Sequence, residues 1–198
     1  MPAPALLQIF REPLKPGCEA AYAAIEEETA RLAAALGCPH PYLGAESLAG
    51  EPEVWWLNGF ASGDEKDRVY AAYAQNGALL AALRANSARK AALTLTPSDV
   101  LTAYRADLSE GEPWAPGYGR FLVVTSSRAG LVAGGTVFEA PDSVLYAIRA
   151  CDTPHEARAV QGALGGGAVV LGVRPAWSFP DPRWCEADPG FWQVAPDR

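Results

Sequence analysis

Between Leu6 and Glu12 the chain reads as a strand, and Pro13 ends it. After Pro16 and Gly17 the apolar spacing changes to a helical one. Tyr22, Ile25, Thr29, Leu32 and Leu36 recur at intervals of three and four and form one stripe, while Glu26, Glu27 and Glu28 fall mostly on the wet side. Gly37 stops this helix. Pro39 and Pro41 hold the next stretch extended up to a second strand, Tyr42 to Leu48. Ala49-Gly50-Glu51-Pro52 is the hairpin loop to a third strand, Glu53 to Phe60. Ser62 and Glu65 make a capping box that opens a second helix. That helical pattern runs to about Leu93, with Asn76-Gly77 as a kink or break. Thr96-Pro97 closes it before a fourth strand, Val100 to Arg105.

The order is therefore β-α-β-β-α-β, a ferredoxin-like unit within an α+β protein. Such a unit builds an antiparallel sheet with helices on one face, so something must cover the other face, either a partner subunit or the chain's own C-terminal region closing an internal pseudo-barrel. The Gly- and Pro-rich stretch 110–119 reads as a linker between a first domain, 1–109, and a smaller region, 120–198. In the second region Phe121 to Ser126, Thr136 to Ala140 and Val144 to Arg149 are expected strands. Pro154 to Leu164 is an expected helix capped by Asp152 or Thr153, and Ala168 to Val173 a further strand. This β-β-β-α-β order has the form of a reduced copy of the first unit, with the stretch Arg128 to Gly134 in place of its first helix. The segment from Pro175 onward has no period but carries three of the six tryptophans, Trp177, Trp184 and Trp192. Aromatic residues in an irregular segment are expected to pin it to a surface.

Alternation along the strands sorts residues by face. Trp56, Asn58 and Phe60 share one side of the third strand, and Trp55, Leu57 and Gly59 the other. Placing the purely apolar sets against the helices leaves Gln8, Glu46, Trp56, Asn58, Thr102 and Tyr104 on the opposite face. A face so mixed in character is expected to meet a partner subunit, to line a cavity between sheets, or both. On the helix side a pocket would be walled by Trp55, Leu57, Tyr22 and Tyr73.

Composition narrows the partners. The net charge is −7 and the sequence pI about 4.9, and no cluster of Lys and Arg is present, so neither nucleic acid nor an anionic membrane is expected. The start lacks a basic region followed by an apolar run, and no stretch approaches a membrane span. Cys18, Cys38, Cys151 and Cys185 stand singly, as in a protein of the reducing cytoplasm, and offer no paired zinc-ligand spacing.

The opening strand, then Leu14-Lys15-Pro16-Gly17, then a helix bearing Tyr22, resembles the start of the dimeric α/β-barrel superfamily. This superfamily includes the antibiotic-biosynthesis monooxygenases and NIPSNAP-type proteins. The resemblance covers residues 5–108 and implies a homodimer whose two sheets face each other as a barrel. It also implies a small hydrophobic or aromatic ligand held between the sheet and its own helices. Some members oxygenate such ligands without metal or flavin, so no cofactor is expected. Haem-degrading members need an axial histidine on the second helix, and here that helix has none.

His40 and Asn58 are the candidate catalytic residues. Tyr22, Trp55, Trp56, Tyr73 and Arg105 are the candidate ligand-binding residues, and no metal site is expected. His40, rigid in Cys38-Pro39-His40-Pro41, could act as a base or simply bond a backbone carbonyl. Arg11 and Arg105 sit at strand ends, where they would meet either an anionic ligand or neighbouring acidic side chains. Two functional classes remain open, a monooxygenase-like enzyme and a non-catalytic binding or dimer-assembly protein. A cavity with convergent polar groups would favour the first, and a filled helix–sheet core the second.

Overall fold

The computed structural model describes residues 2–128, 134–165 and 167–193. The first half contains β1 (Leu6–Pro13), α1 (Glu19–Ala35), β2 (Leu43–Ser47), β3 (Glu53–Phe60), α2 (Gly63–Gln75), α3 (Gly77–Lys90) and β4 (Ser98–Tyr104). The second contains β5 (Phe121–Ser127), β6 (Thr136–Glu139), β7 (Leu145–Cys151), α4 (Pro154–Leu164), β8 (Val169–Val173), α5 (Pro182–Ala187) and α6 (Pro189–Trp192). Of the expected loop Arg128 to Gly134, residues 129–133 lie outside the described residues.

The α+β fold is an eight-stranded barrel with the closed order β1-β3-β2-β8-β5-β7-β6-β4. Every pairing is antiparallel. Within each half the strands run in equivalent order, β4-β1-β3-β2 and β8-β5-β7-β6. The halves join where β2 pairs with β8 and β4 pairs with β6. Closure leaves no free sheet edge. It also lets the chain supply from its own second half the cover that the first sheet needs.

The alternation within strands holds, but the faces are exchanged. Leu7, Ile9, Leu43, Ala45, Trp55 and Leu57 point into the barrel and pack against Leu122, Val124, Phe138, Ile148 and Leu171 of the second half. Burial of each such large side chain is worth about 1.5–3 kcal/mol. The mixed set, including Gln8, Phe10, Trp56 and Asn58, faces outward beneath α1, α2 and α3. The lumen core is buried, so it takes the most apolar rows, and the mixed face meets helices instead of a second sheet. Thr102 and Tyr104 leave that mixed set. Register places Thr102 opposite Leu7 and Tyr104 opposite Phe138, inside the barrel, and the Thr102 hydroxyl donates to the Leu7 carbonyl at 2.7 Å. Alternation fixes faces within a strand, whereas register fixes them between strands.

Local signals explain the helices. The Ser62 hydroxyl accepts the Glu65 N–H at 3.1 Å and starts α2. Asn76 breaks the long helical pattern into two: its side-chain oxygen accepts the Leu79 N–H to cap α3, and its amide donates to the Leu36 carbonyl at 2.7 Å. One residue thus ends α2, starts α3 and ties both to the end of α1. Thr153 caps α4 through the Glu156 N–H.

The aromatic segments are anchored in two places. Trp177 packs with Trp56 and Tyr22 outside the barrel. Trp184, Trp192 and Trp114 of the 110–119 stretch join the lumen core. Gly117, at φ +94°, is required there, because a Cβ on it would lie 2.3 Å from the Trp184 ring.

Candidate functional site

The mixed face and its helices enclose a cleft of about 360 Å³. Phe10, Tyr42, Trp56 and Asn58 rise from the sheet side, and Thr29, Ala33, Tyr73, Leu83 and Lys90 descend from the helices. Gln8 and Asp99 stand at the rim, where the Gln8 amide donates to Asp99 at 3.0 Å and accepts the Tyr70 hydroxyl at 3.1 Å. The large aromatic side chains act as pillars: they touch the helices and keep them off the sheet, and the space between pillars is the cleft.

Its floor is a buried charge cluster. Glu12, in the outward row Gln8, Phe10, Glu12 of β1, accepts three bonds on one carboxylate oxygen. These come from the Tyr22 hydroxyl at 2.5 Å, the Trp56 indole N–H at 2.9 Å and the Lys90 ammonium at 3.0 Å. Lys90 also lies 2.5 Å from Oε1 of Glu26. That contact is an ion pair without hydrogen-bond geometry, so Oε1 lacks a directed donor. The Glu12 and Glu26 side chains are 7% and 2% exposed, and that of Lys90 is 12% exposed. Lys90 further sits over the Tyr22 and Trp56 rings, at 5.2 and 5.6 Å from their centroids.

Burial raises the Glu26 carboxyl above the usual carboxylate range, with the Lys90 ammonium acting against that shift. Burial pulls Lys90 down, but Glu26 and Glu12 outweigh it and the net direction is upward. Tyr22 is raised by burial and by the same two carboxylates. The Tyr42 hydroxyl, at the wall of the cleft, is raised by burial and has no hydrogen-bond partner. Tyr73 and Cys38 meet at 3.0 Å between hydroxyl and sulfur, and burial raises Tyr73 as well.

Three of the candidate residues, Trp56, Asn58 and Tyr73, line this cleft together. Tyr22 is fully buried behind the floor, where it bonds Glu12. Trp55 lies inside the barrel, its indole N–H on Glu53 at 2.7 Å and Arg11 stacked 4.4 Å above its ring. Arg105 is paired with Asp107 and Glu139, outside the cleft. His40 lines a separate crevice with Glu65, Asp181 and Arg183. Its ring stacks on Phe60 and its Nε2 meets the Gly59 carbonyl at 3.0 Å. Burial lowers its pKa, partly offset by that carbonyl, and because a carbonyl only accepts, Nε2–H is the donor.

Glu12, Glu26 and Lys90 went unread in the sequence. Glu26 was grouped with the exposed Glu27, yet the steps from Tyr22 to Glu26, Thr29 and Ala33 are four, three and four. Glu26 therefore lies within the buried stripe. Among the described residues no group of three or more His, Cys, Asp or Glu is arranged to hold a metal ion. No described helix is long and apolar enough to cross a membrane.

The barrel fold is shared with solved structures of low sequence identity. A crystal structure from Fusobacterium nucleatum, named provisionally as a monooxygenase, superposes with a TM-score of 0.52 at 9% identity. It covers 88% of this chain and 93% of its own. The shared fold thus extends beyond the first half, where the sequence resemblance lies. A second provisionally named monooxygenase, from Lactobacillus acidophilus, gives a TM-score of 0.44 at 8% identity over 86% of this chain and 93% of that one. An uncharacterized NIPSNAP-like domain protein from Burkholderia xenovorans gives 0.39 at 19% identity over 56% and 95%. No family model and no curated protein matches the sequence.

Proposed function

We propose that this protein binds a small, largely aromatic molecule in the cleft beneath α1–α3 and acts on it as a cofactor-independent oxygenase. The observation that carries the reading is the cleft itself: about 360 Å³, walled by aromatic rings, with Lys90, Asn58, Tyr42 and Tyr73 converging on it. Ligand sites combine such apolar walls with a few placed polar groups. In the reaction an activated methylene carbon of the ligand loses its hydrogens to dioxygen. One oxygen atom becomes a carbonyl and the other leaves as water, so CH₂ and O₂ give C=O and H₂O. The residues orient the ligand, exclude bulk water and stabilise the carbanion that reacts.

Binding and turnover are tested separately. Titration calorimetry with 7-methoxycoumarin, a neutral bicyclic probe, is expected to show binding that falls at least about tenfold in Leu83→Trp, whose indole fills the cleft. Equal binding by both forms would remove the cleft as the site. Oxygen uptake with an anthrone-type methylene compound is expected from the wild type and lost in Leu83→Trp. Binding without uptake would favour the non-catalytic alternative, for which the mutual pairing of the floor charges is the supporting observation.

A further inference from the structure

Three features of the cleft floor do not follow from ligand binding alone. One ammonium is shared between two buried carboxylates. Oε1 of Glu26 rests 2.5 Å from that ammonium, and the Tyr42 hydroxyl on the same cleft has no partner. Burying two carboxylates against one ammonium is costly, and a hydrophobic floor of equal volume would be at least as stable. Lys90 is the most exposed member of the cluster, and Glu26, which lines the same cleft, lies 2.5 Å from it.

We infer that Lys90 is the proton-transfer residue of the site and Glu26 its proton store, so that the ligand enters neutral, carrying an acidic O–H or C–H, and is ionised in place. This rests on the reading of the cleft as a ligand site. The ligand's acidic bond to hydrogen breaks and its electron pair stays on the ligand. The proton passes to Lys90 as Lys90 gives one of its own to Glu26. At the end Lys90 is again an ammonium, Glu26 is a neutral carboxyl and the ligand is an anion. The charge is unchanged: two carboxylates and one ammonium before, one carboxylate, one ammonium and one ligand anion after. Lys90 exchanges one anionic partner for another, and Glu12, held by Tyr22 and Trp56, keeps the ammonium in position. An anion entering from solvent would instead add charge to a floor that already carries an excess negative one, with Asp99 at the rim.

Burial, which raises the Glu26 carboxyl above its ordinary value, makes it a better proton acceptor than an exposed glutamate, and it lies 2.5 Å from the Lys90 ammonium. The titratable groups facing it are Lys90 from α3, Glu12 from β1, Tyr22 from its own helix and Tyr42 beside β2.

The test uses 7-hydroxycoumarin, whose neutral and anionic forms absorb at different wavelengths, beside 7-methoxycoumarin, which has no acidic hydrogen. The full-length wild type is expected to bind both and to convert bound 7-hydroxycoumarin to its anion about one pH unit, or tenfold in ionisation constant, below the free dye. Glu26→Gln keeps the shape of the floor and the Lys90–Glu12 pair. It is expected to bind 7-methoxycoumarin as the wild type does but to hold 7-hydroxycoumarin neutral. Coumarin-3-carboxylate, an anion, is expected to bind at least about tenfold more weakly than 7-methoxycoumarin. Wild type that binds both neutral probes but leaves 7-hydroxycoumarin un-ionised would overturn this inference and leave the ligand site standing. So would a Glu26→Gln variant that still ionises the dye, or preferred binding of the carboxylate. Binding of none of the three would overturn the ligand site and the inference together.

Discussion

The two halves of the barrel contribute equivalent strand orders but are covered differently. Over the first half, α1, α2 and α3 stand on Phe10, Tyr42 and Trp56 and leave the cleft. Over the second, α4 lies close. Its fully buried Ala157 packs with Val123, Cys151, Ala168 and Val170, small side chains that allow near approach. Between β5 and β6 only residues 128–135 are available, too few for a counterpart to the 17 residues of α1. The same sheet geometry thus yields a filled interface where the contacting side chains are small and a cavity where they are large and rigid. Pocket formation here depends on the height of the outward-facing side chains rather than on strand topology.

If both halves share one lumen, damage to it must be felt by both. Phe138→Ala, in β6 and fully buried, is expected to cost about 3–5 kcal/mol in urea unfolding followed by fluorescence and circular dichroism, with the two signals coincident. Two separate transitions would turn the halves into independent domains. Lys90→Met strands two buried carboxylates and is expected to cost about 3 kcal/mol, most of it recovered when Glu26→Gln is added. Failure of that recovery would show that packing by the lysine stem, not charge, holds the first half's floor. A matched pair sharpens the contrast in cover. Ala157→Leu overpacks α4 and is expected to cost about 1–3 kcal/mol, whereas Ser87→Leu, at an exposed position of α3 on the cleft, is expected to cost about 0.5 kcal/mol or less. Equal costs by thermal denaturation would contradict the comparison.

The remaining effect is in pH dependence. The folded-state pKa of Glu26 lies above its unfolded value, so the folded protein binds more protons between the two values and loses stability as pH rises through that range. Replacing Glu26 by Gln removes this loss. The variant's gain in melting temperature over the wild type is expected to be larger at pH 8 than at pH 5. A gain independent of pH would place the cost of Glu26 elsewhere.

Much of this was legible in the sequence. Proline and glycine punctuation, the Ser62–Glu65 cap and the Asn76-Gly77 break gave the elements, because each is a local signal. Alternation gave the correct groupings within strands. Which group met the helices was not legible, because the most apolar rows belong wherever water is most completely excluded, and that is the lumen only once the second half closes it. Thr102 and Tyr104 moved for a related reason, since register between β1 and β4 is a tertiary property. Of the site, Trp56, Asn58 and Tyr73 were visible as aromatic or polar residues on strands and helices. The floor was hidden: Glu26 stands in a run of three glutamates that reads as solvated, and Lys90 ends an Ala-rich helix where a basic residue is ordinary. Only the phase of Glu26 with Tyr22, Thr29 and Ala33 betrays it.

The central claim is that ligand chemistry belongs to the first half alone, and the tryptophans report on it directly. Trp56 lines the cleft and Trp177 neighbours it, whereas Trp114, Trp184 and Trp192 sit in the lumen core. In a nitrogen–proton correlation spectrum of the labelled protein titrated with 7-methoxycoumarin, the Trp56 indole signal is predicted to move most and that of Trp177 less. The Trp114, Trp184 and Trp192 signals are predicted to stay in place. Movement of the lumen tryptophans with Trp56 unchanged would contradict the account.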